Sequence, residues 1–117
     1  MLEVFSCMNE RSHRAIEKIL IHSKKCIHYS LAQDDWIQDE RTLEAIVFNL
    51  AQIGELVRFV DESVQSKYPF VNWAAMKGLR NRIIHDYEGI LPNNINAIVM
   101  KGLPELVFQL ESILENS

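Results

Sequence analysis

The stretch Arg80-Asn81-Arg82-Ile83-Ile84-His85-Asp86-Tyr87 sets two guanidiniums, an imidazole and a phenol within eight residues, inside a segment whose apolar positions have core-helix spacing. Those groups suffice for phosphoryl chemistry without a metal. An imidazole titrates near about pH 6.5, so at neutral pH it can take a proton or give one. A guanidinium stays charged and meets two phosphate oxygens at once, so it can hold the extra charge of a phosphorane. In RNA cleavage by internal attack, a base takes the 2′-hydroxyl proton, an acid protonates the leaving oxygen, and a cation stabilises the crowded phosphorus. His85 alone does not readily fill both proton-transfer roles at once, whereas a symmetric pair of histidines can. Lys77 and Arg82 make the neighbourhood basic and are candidate RNA contacts. A purely structural reading uses the same residues: Arg80 paired with Glu55 or Asp86 inside a bundle, His85 at a helix end, Tyr87 in the core.

The elements that must position these groups are helices. The chain has four Gly and three Pro, lacks strand-like alternation, and repeats its apolar residues at three and four positions. The expected class is all-α, an antiparallel bundle of four to five helices. A first amphipathic helix is predicted over about Ser12 to Tyr29, with Ile16, Ile19, Leu20, Ser23, Cys26 and Ile27 on its buried stripe. A loop pinned by Trp36 follows. Asp39 then caps a second helix, predicted to run to about Glu62 and to be the longest, with Asn49 and Glu55 interrupting its packing surface. Gly54 inside it costs about 1 kcal/mol relative to Ala, a cost that close approach of a neighbouring helix would explain.

Tyr68-Pro69-Phe70-Val71 breaks the periodicity, and Asn72 can cap a third helix reaching about Glu88. Gly89 and Pro92 stop it. Asn93 or Asn94 then caps a fourth segment to about Lys101, and a last helix starts at Pro104 and ends near Glu115; one long helix kinked at Pro104 is the alternative. At about 100° per residue, Trp73, Met76, Leu79, Ile83, Ile84 and Tyr87 share one arc with Arg80, while Arg80 and His85 diverge by about 140°. A straight helix does not focus both on one atom. Either the helix distorts near Gly89, or the surface meets a second copy of itself about a two-fold axis; the second leaves Arg80 and Tyr87 at a cleft instead of sealed in a core.

With 117 residues and 48% hydrophobic content, the chain is expected to be one domain, 1–117. A formal net charge of -4 excludes a protein that coats nucleic acid through overall charge, but not a local basic patch. Cys7 and Cys26 are too few for a disulfide framework, no apolar run approaches the roughly 20 residues of a membrane span, and Met1–Ser6 lacks the pattern of a secretory signal. A cytoplasmic, membrane-free protein is expected. His22, Cys26 and His28 lie close in sequence, yet such scattered ligands are read as core cysteine and surface histidines, and Asp34-Asp35 and Asp39-Glu40 as solvated acids.

Arg80-x4-His85-x-Tyr87 resembles the motif of HepT toxins, small helical proteins of the HEPN superfamily. Tyr68-Pro69, Trp73, the run Gly78-Leu79-Arg80-Asn81 and the run Asn49-Leu50-Ala51-Gln52-Ile53-Gly54-Glu55 resemble the same family, so that about residues 11 to 115 are covered. The resemblance implies a homodimer or higher oligomer whose cleft cleaves cellular RNA without a metal or other cofactor, as the toxin of a toxin–antitoxin pair. It implies that Arg80 and His85 are catalytic, and that Tyr87 receives AMP from ATP through a cognate antitoxin, a nucleotidyltransferase of the MntA type. Asn81 and Asp86 would support them, and Glu55 would orient Arg80 or Asn81. Residues 1–10 fall outside the resemblance and are expected to be a flexible or assembly segment. The rival expectation is a noncatalytic subunit that binds nucleotide or partner for a nucleotidyltransferase.

Overall fold

Short polar side chains set the helix starts. Asn9 Oδ1 accepts from the Ser12 amide at 2.8 Å, Asp39 Oδ2 from that of Thr42 at 3.0 Å, and Asn72 Oδ1 from that of Ala75 at 3.0 Å. Each satisfies an amide that a helix start leaves without an intrahelical partner. The computed structural model describes residues 8–86 and 92–116, without the side chains of 84–86, 92 and 93. Its elements are α1 (Glu10–Leu31), a 3-10 turn (Trp36–Gln38), α2 (Glu40–Leu56), a second 3-10 turn (Val57–Phe59), α3 (Glu62–Lys67), α4 (Trp73–Asp86), α5 (Pro92–Ala97), a π turn (Ile98–Gly102) and α6 (Leu103–Glu115). The described residues contain no strand, and the all-α class is correct.

α1 and α2 run antiparallel, as the contacts Ser12 with Asp61, His22 with Asn49 and Cys26 with Ile46 show. α1 buries Ile16, Ile19, Ser23 and Cys26 of the stripe expected of it, with Leu20 and Ile27 half-buried at its edge; Ser23 sits there because its hydroxyl donates to the Ile19 carbonyl at 2.8 Å. α4 packs on α2, and α6 closes against α1, where Lys24 Nζ meets Glu111 Oε2 at 2.9 Å. Ile16, Ile19, Ile46, Leu50, Ile53, Leu110 and Ile113 form the most deeply buried part of the core. Trp36 is buried and anchors the α1–α2 connection.

Three boundaries differ from the periodicity. α2 stops at Leu56, so with 17 residues it is shorter than α1 with 22. Val57 and Val60 stay buried across a 3-10 turn, whose three-residue period keeps positions three apart on one side, so the apolar spacing continues after the α-helix has ended. Val60 then turns extended, and the Asp61 amide donates to Ser12 Oγ on α1 at 3.0 Å. α3, unforeseen, has six residues and buries only Val64 among them, too little to show a period. At the far end, α5 begins at Pro92, placing Asn93 and Asn94 inside its first turn instead of at the cap. Helical structure then continues to Glu115, the single-helix alternative: Pro104 lacks an amide hydrogen, and the wider π turn directly before it absorbs the missing bond. Gly89, proposed to end α4, lies outside the described residues.

The α2–α4 contact is closest at Gly54. A Cβ there would lie 2.7 Å from the Arg80 amide nitrogen and 2.9 Å from the Met76 carbonyl oxygen, both backbone atoms of α4. Gly78, also helical, has nothing within 4 Å of an added Cβ. Gly54→Ala should therefore destabilise by about 1–3 kcal/mol despite alanine's better helix propensity. Gly78→Ala should stabilise by about 0.4–1 kcal/mol. Urea unfolding of both variants checks the opposite signs.

The Asp39 cap has a pH signature. Hydrogen bonds from the Thr42 side chain and then its amide hold the Asp39 carboxyl below its ordinary 3.8. A depressed folded value means that its stabilisation is complete above the unfolded pKa and is lost as pH falls through the folded one. Asp39→Asn should flatten that part of the acid limb of a stability–pH curve, and an NMR titration of Asp39 should show the depressed midpoint.

Candidate functional site

Because α2 and α4 touch at Gly54, the next residue, Glu55, emerges at the edge of the contact beside Arg80. Glu55 Oε2 lies 2.7 Å from Arg80 Nε, and Oε1 accepts from Arg58 Nη1 at 3.0 Å. One carboxylate thus holds two guanidiniums, one on each oxygen. The Glu55 and Arg80 side chains are 34% and 43% exposed, so the pair is at a surface and solvent screens it. Its larger effect is geometric: Nε is engaged, and the two-nitrogen Nη edge is left to one long bond, Nη1 to Asn81 Oδ1 at 3.4 Å, among the described residues.

The structure therefore brings together Arg80, Asn81 and Glu55, as expected, and adds Arg58, which sequence reasoning missed. Its signal was available as Glu55-x-x-Arg58, an acid and a base one helical turn apart. Lys77, exposed on α4, shares a hollow with Arg58 at the second 3-10 turn. Arg82 does not join them. It lines a groove of about 280 Å³ between α4 and the π turn and α6, with Met76, Leu79, Leu103 and Glu105. His85 and Asp86 belong to α4 by backbone, but their side chains lie outside the described set, as does all of Tyr87. α4 stays α-helical through Asp86, so positions 80 and 85 are about 140° apart round its axis.

Two further polar groups sit in the α1–α2 seam. Buried Asn49 donates through Nδ2 to the Ala45 carbonyl at 2.8 Å, which turns its Oδ1 toward His22 Nδ1, 2.7 Å away. An amide oxygen accepts, so the hydrogen in that contact resides on His22 Nδ1. Cys26 is buried, points its Sγ at the Ile46 carbonyl at 3.6 Å, and has its thiol pushed up to about 12 by burial. Both side chains are engaged in packing. Among the described residues no three His, Cys, Asp or Glu side chains gather as a metal site, and no helix is long and apolar enough to cross a membrane.

The Glu55–Arg80 pair can be measured directly. A double-mutant cycle with Glu55→Gln and Arg80→Gln, read by urea unfolding, should give a coupling of about 0.5–1 kcal/mol that shrinks with added salt. A coupling near zero at low salt would mean that the contact does not hold Arg80 in solution.

The family model described as Ribonuclease HepT-like matches residues 9–113. A Methanocaldococcus jannaschii protein named "Putative RNase" is 33% identical over 100 residues, 84% of this chain and 83% of its own length. A protein of Caldanaerobacter subterraneus subsp. tengcongensis with the same style of name is 32% identical over 82 residues, 70% of this chain and 73% of its own. The "Probable ribonuclease HepT" of Thermococcus cleftensis is 25% identical over 80 residues, 68% of this chain and 73% of its own. No solved structure matches the chain at comparable stringency. With a match that spans nearly every described residue and includes the whole of α4, this chain belongs to the Ribonuclease HepT-like family.

Proposed function

We propose that this chain is a metal-independent endoribonuclease, the toxin of a toxin–antitoxin pair, acting through Arg80 and His85 at a cleft between two copies. The observation that carries it is the held guanidinium of Arg80: Glu55 grips Nε at 2.7 Å and leaves the phosphate-binding edge at the surface. The ribonuclease names of the relatives support the same substrate.

In the reaction, one His85 takes the 2′-hydroxyl proton and that oxygen attacks phosphorus. The bond to the 5′ oxygen breaks, and a protonated His85 of the partner subunit supplies a proton to the leaving oxygen. A 2′,3′-cyclic phosphate and a 5′-hydroxyl result. Arg80 compensates the charge on the equatorial oxygens, with Asn81 and Asp86 in support. The 140° divergence of positions 80 and 85, about what a regular helix dictates, favours completion of the site by a second chain. Phe48 at 61% and Phe108 at 72% exposure offer apolar surface for self-association. No cofactor enters these steps. Inhibition would come from AMP: the Tyr87 oxygen attacks the α-phosphorus of ATP bound to an MntA-type nucleotidyltransferase antitoxin, releasing pyrophosphate. The bulk and negative charge of the product would repel an RNA backbone.

Purified chain free of AMP should cleave RNA in EDTA. Arg80→Ala and His85→Ala should each lower the rate by about 10²-fold or more with the fold intact by circular dichroism. Cleavage by His85→Ala equal to that of the parent would remove the catalytic assignment. Nucleotide binding without any cleavage would instead identify a noncatalytic subunit of the transferase. Intact mass and peptide mapping after expression with the transferase should place AMP on Tyr87.

A further inference from the structure

A second basic feature lies beyond Arg58, outside the motif. Arg11, Arg14, Ala15 and Lys18 of α1 meet Leu56, the last residue of α2, and Phe59 of the second 3-10 turn around a hollow of about 320 Å³. Three of these six lining residues are cationic and none is acidic, in a chain whose net charge is -4. The floor is apolar, with Phe59 38% exposed. Arg58 Cζ lies 5.2 Å from the centroid of that ring and Arg11 Cζ 5.9 Å. Contacts thus run without a gap from the motif to the hollow: Arg80 to Glu55, Glu55 to Arg58, Arg58 to Phe59, and Phe59 to Arg11.

We propose that this hollow is a binding subsite for single-stranded RNA, which seats a base on Phe59 and the adjoining phosphates on Arg14, Lys18 and Arg11, and continues past Arg58 to Arg80. It rests on the nuclease reading for the direction of the strand, but the binding itself does not. Aromatic rings flanked by cations hold single strands because every base has a stacking face and every nucleotide a charge. The α1 cations are spaced by three and four residues, so they spread over about 10 Å along the helix axis and track a backbone instead of meeting one point charge. Their present partners are exchangeable: Arg11 lies 3.5 Å from Asp61 and Arg14 3.7 Å from Glu10, with both arginine side chains about two-thirds exposed, at 64% and 65%. Arg11 is the group that a stacked base displaces from the ring, and its charge is then available to the next phosphate. A second copy of this chain is a poorer occupant. Related by a two-fold axis, it would set the same three cations against these.

The test uses the full chain and a fluorescent single strand of roughly ten 2′-O-methyl nucleotides, which internal attack cannot cleave. Anisotropy should show Arg14→Glu with Lys18→Glu weakening binding by roughly tenfold or more, with a shallower salt dependence, because phosphate contacts release counterions. Phe59→Leu, which keeps the apolar floor but removes the ring, should weaken binding by about fivefold or more without changing the salt slope. Lys101→Glu, a single charge reversal at an exposed residue of the π turn, should leave binding as it was. Unchanged binding in both hollow variants, with cleavage of the 2′-hydroxyl strand intact, overturns the subsite and leaves the nuclease standing. Binding that depends on the hollow in a protein that cleaves nothing upholds the subsite and overturns the nuclease. A changed oligomeric state of the hollow variants by sedimentation, with parent-like RNA affinity per chain, makes the face a homomeric contact and overturns the subsite.

Discussion

The site depends on how closely α4 approaches α2 at Gly54. A Cβ at that position would meet the backbone of Met76 and Arg80 at under 3 Å, so the contact exists only because residue 54 has no side chain. Glycine within a helix costs about 1 kcal/mol, and here it is offset by the packing of two helices along their length. The approach also determines which side chains can meet. Arg80 starts from the contact itself and Glu55 from its edge, so the 2.7 Å pair follows from backbone placement instead of from a chance meeting of two long side chains.

Glu55 is an acid placed among groups that would receive an anion. It binds Arg80 and Arg58 through different oxygens, which limits the rotamers of both. Ordering a long cationic side chain before substrate arrives removes part of the entropy that binding would otherwise lose. Partial exposure keeps the attraction weak enough for a phosphate to compete. The same logic extends to α1, where Arg11 and Arg14 rest on exposed acids at 3.5 and 3.7 Å. An acidic chain thus presents a local cationic path whose charges are held by exchangeable partners.

The fold and much of the motif helix were legible in the sequence. Polar caps at Asp39 and Asn72, the break at Tyr68-Pro69 and the buried stripes of α1 and α4 are local features, decided by hydrogen-bonding capacity and period. The illegible boundaries share one cause. Val57, Val60 and Val64 keep an apolar spacing that an α-helix, a 3-10 turn and a short following helix all satisfy, so the pattern could not say which backbone carried it. Likewise Pro104 signalled an interruption, but whether it separates two helices or perturbs one depended on the π turn packed before it.

By itself the sequence determined the class and the family motif, because each follows from residue type and spacing along one chain; that Gly54, and not the helical Gly78, meets a neighbouring helix was decided by the packing of α2 on α4. Only the tertiary structure decided what the motif's arginine touches. The helix crossing brought Glu55 to Arg80; Arg82, two residues on, was carried to the opposite groove with α6. Arg58, Phe59 and the α1 cations entered the picture in the same way. Nothing in linear spacing relates residue 11 to residue 59, and their proximity is set by the antiparallel packing of α1 on α2.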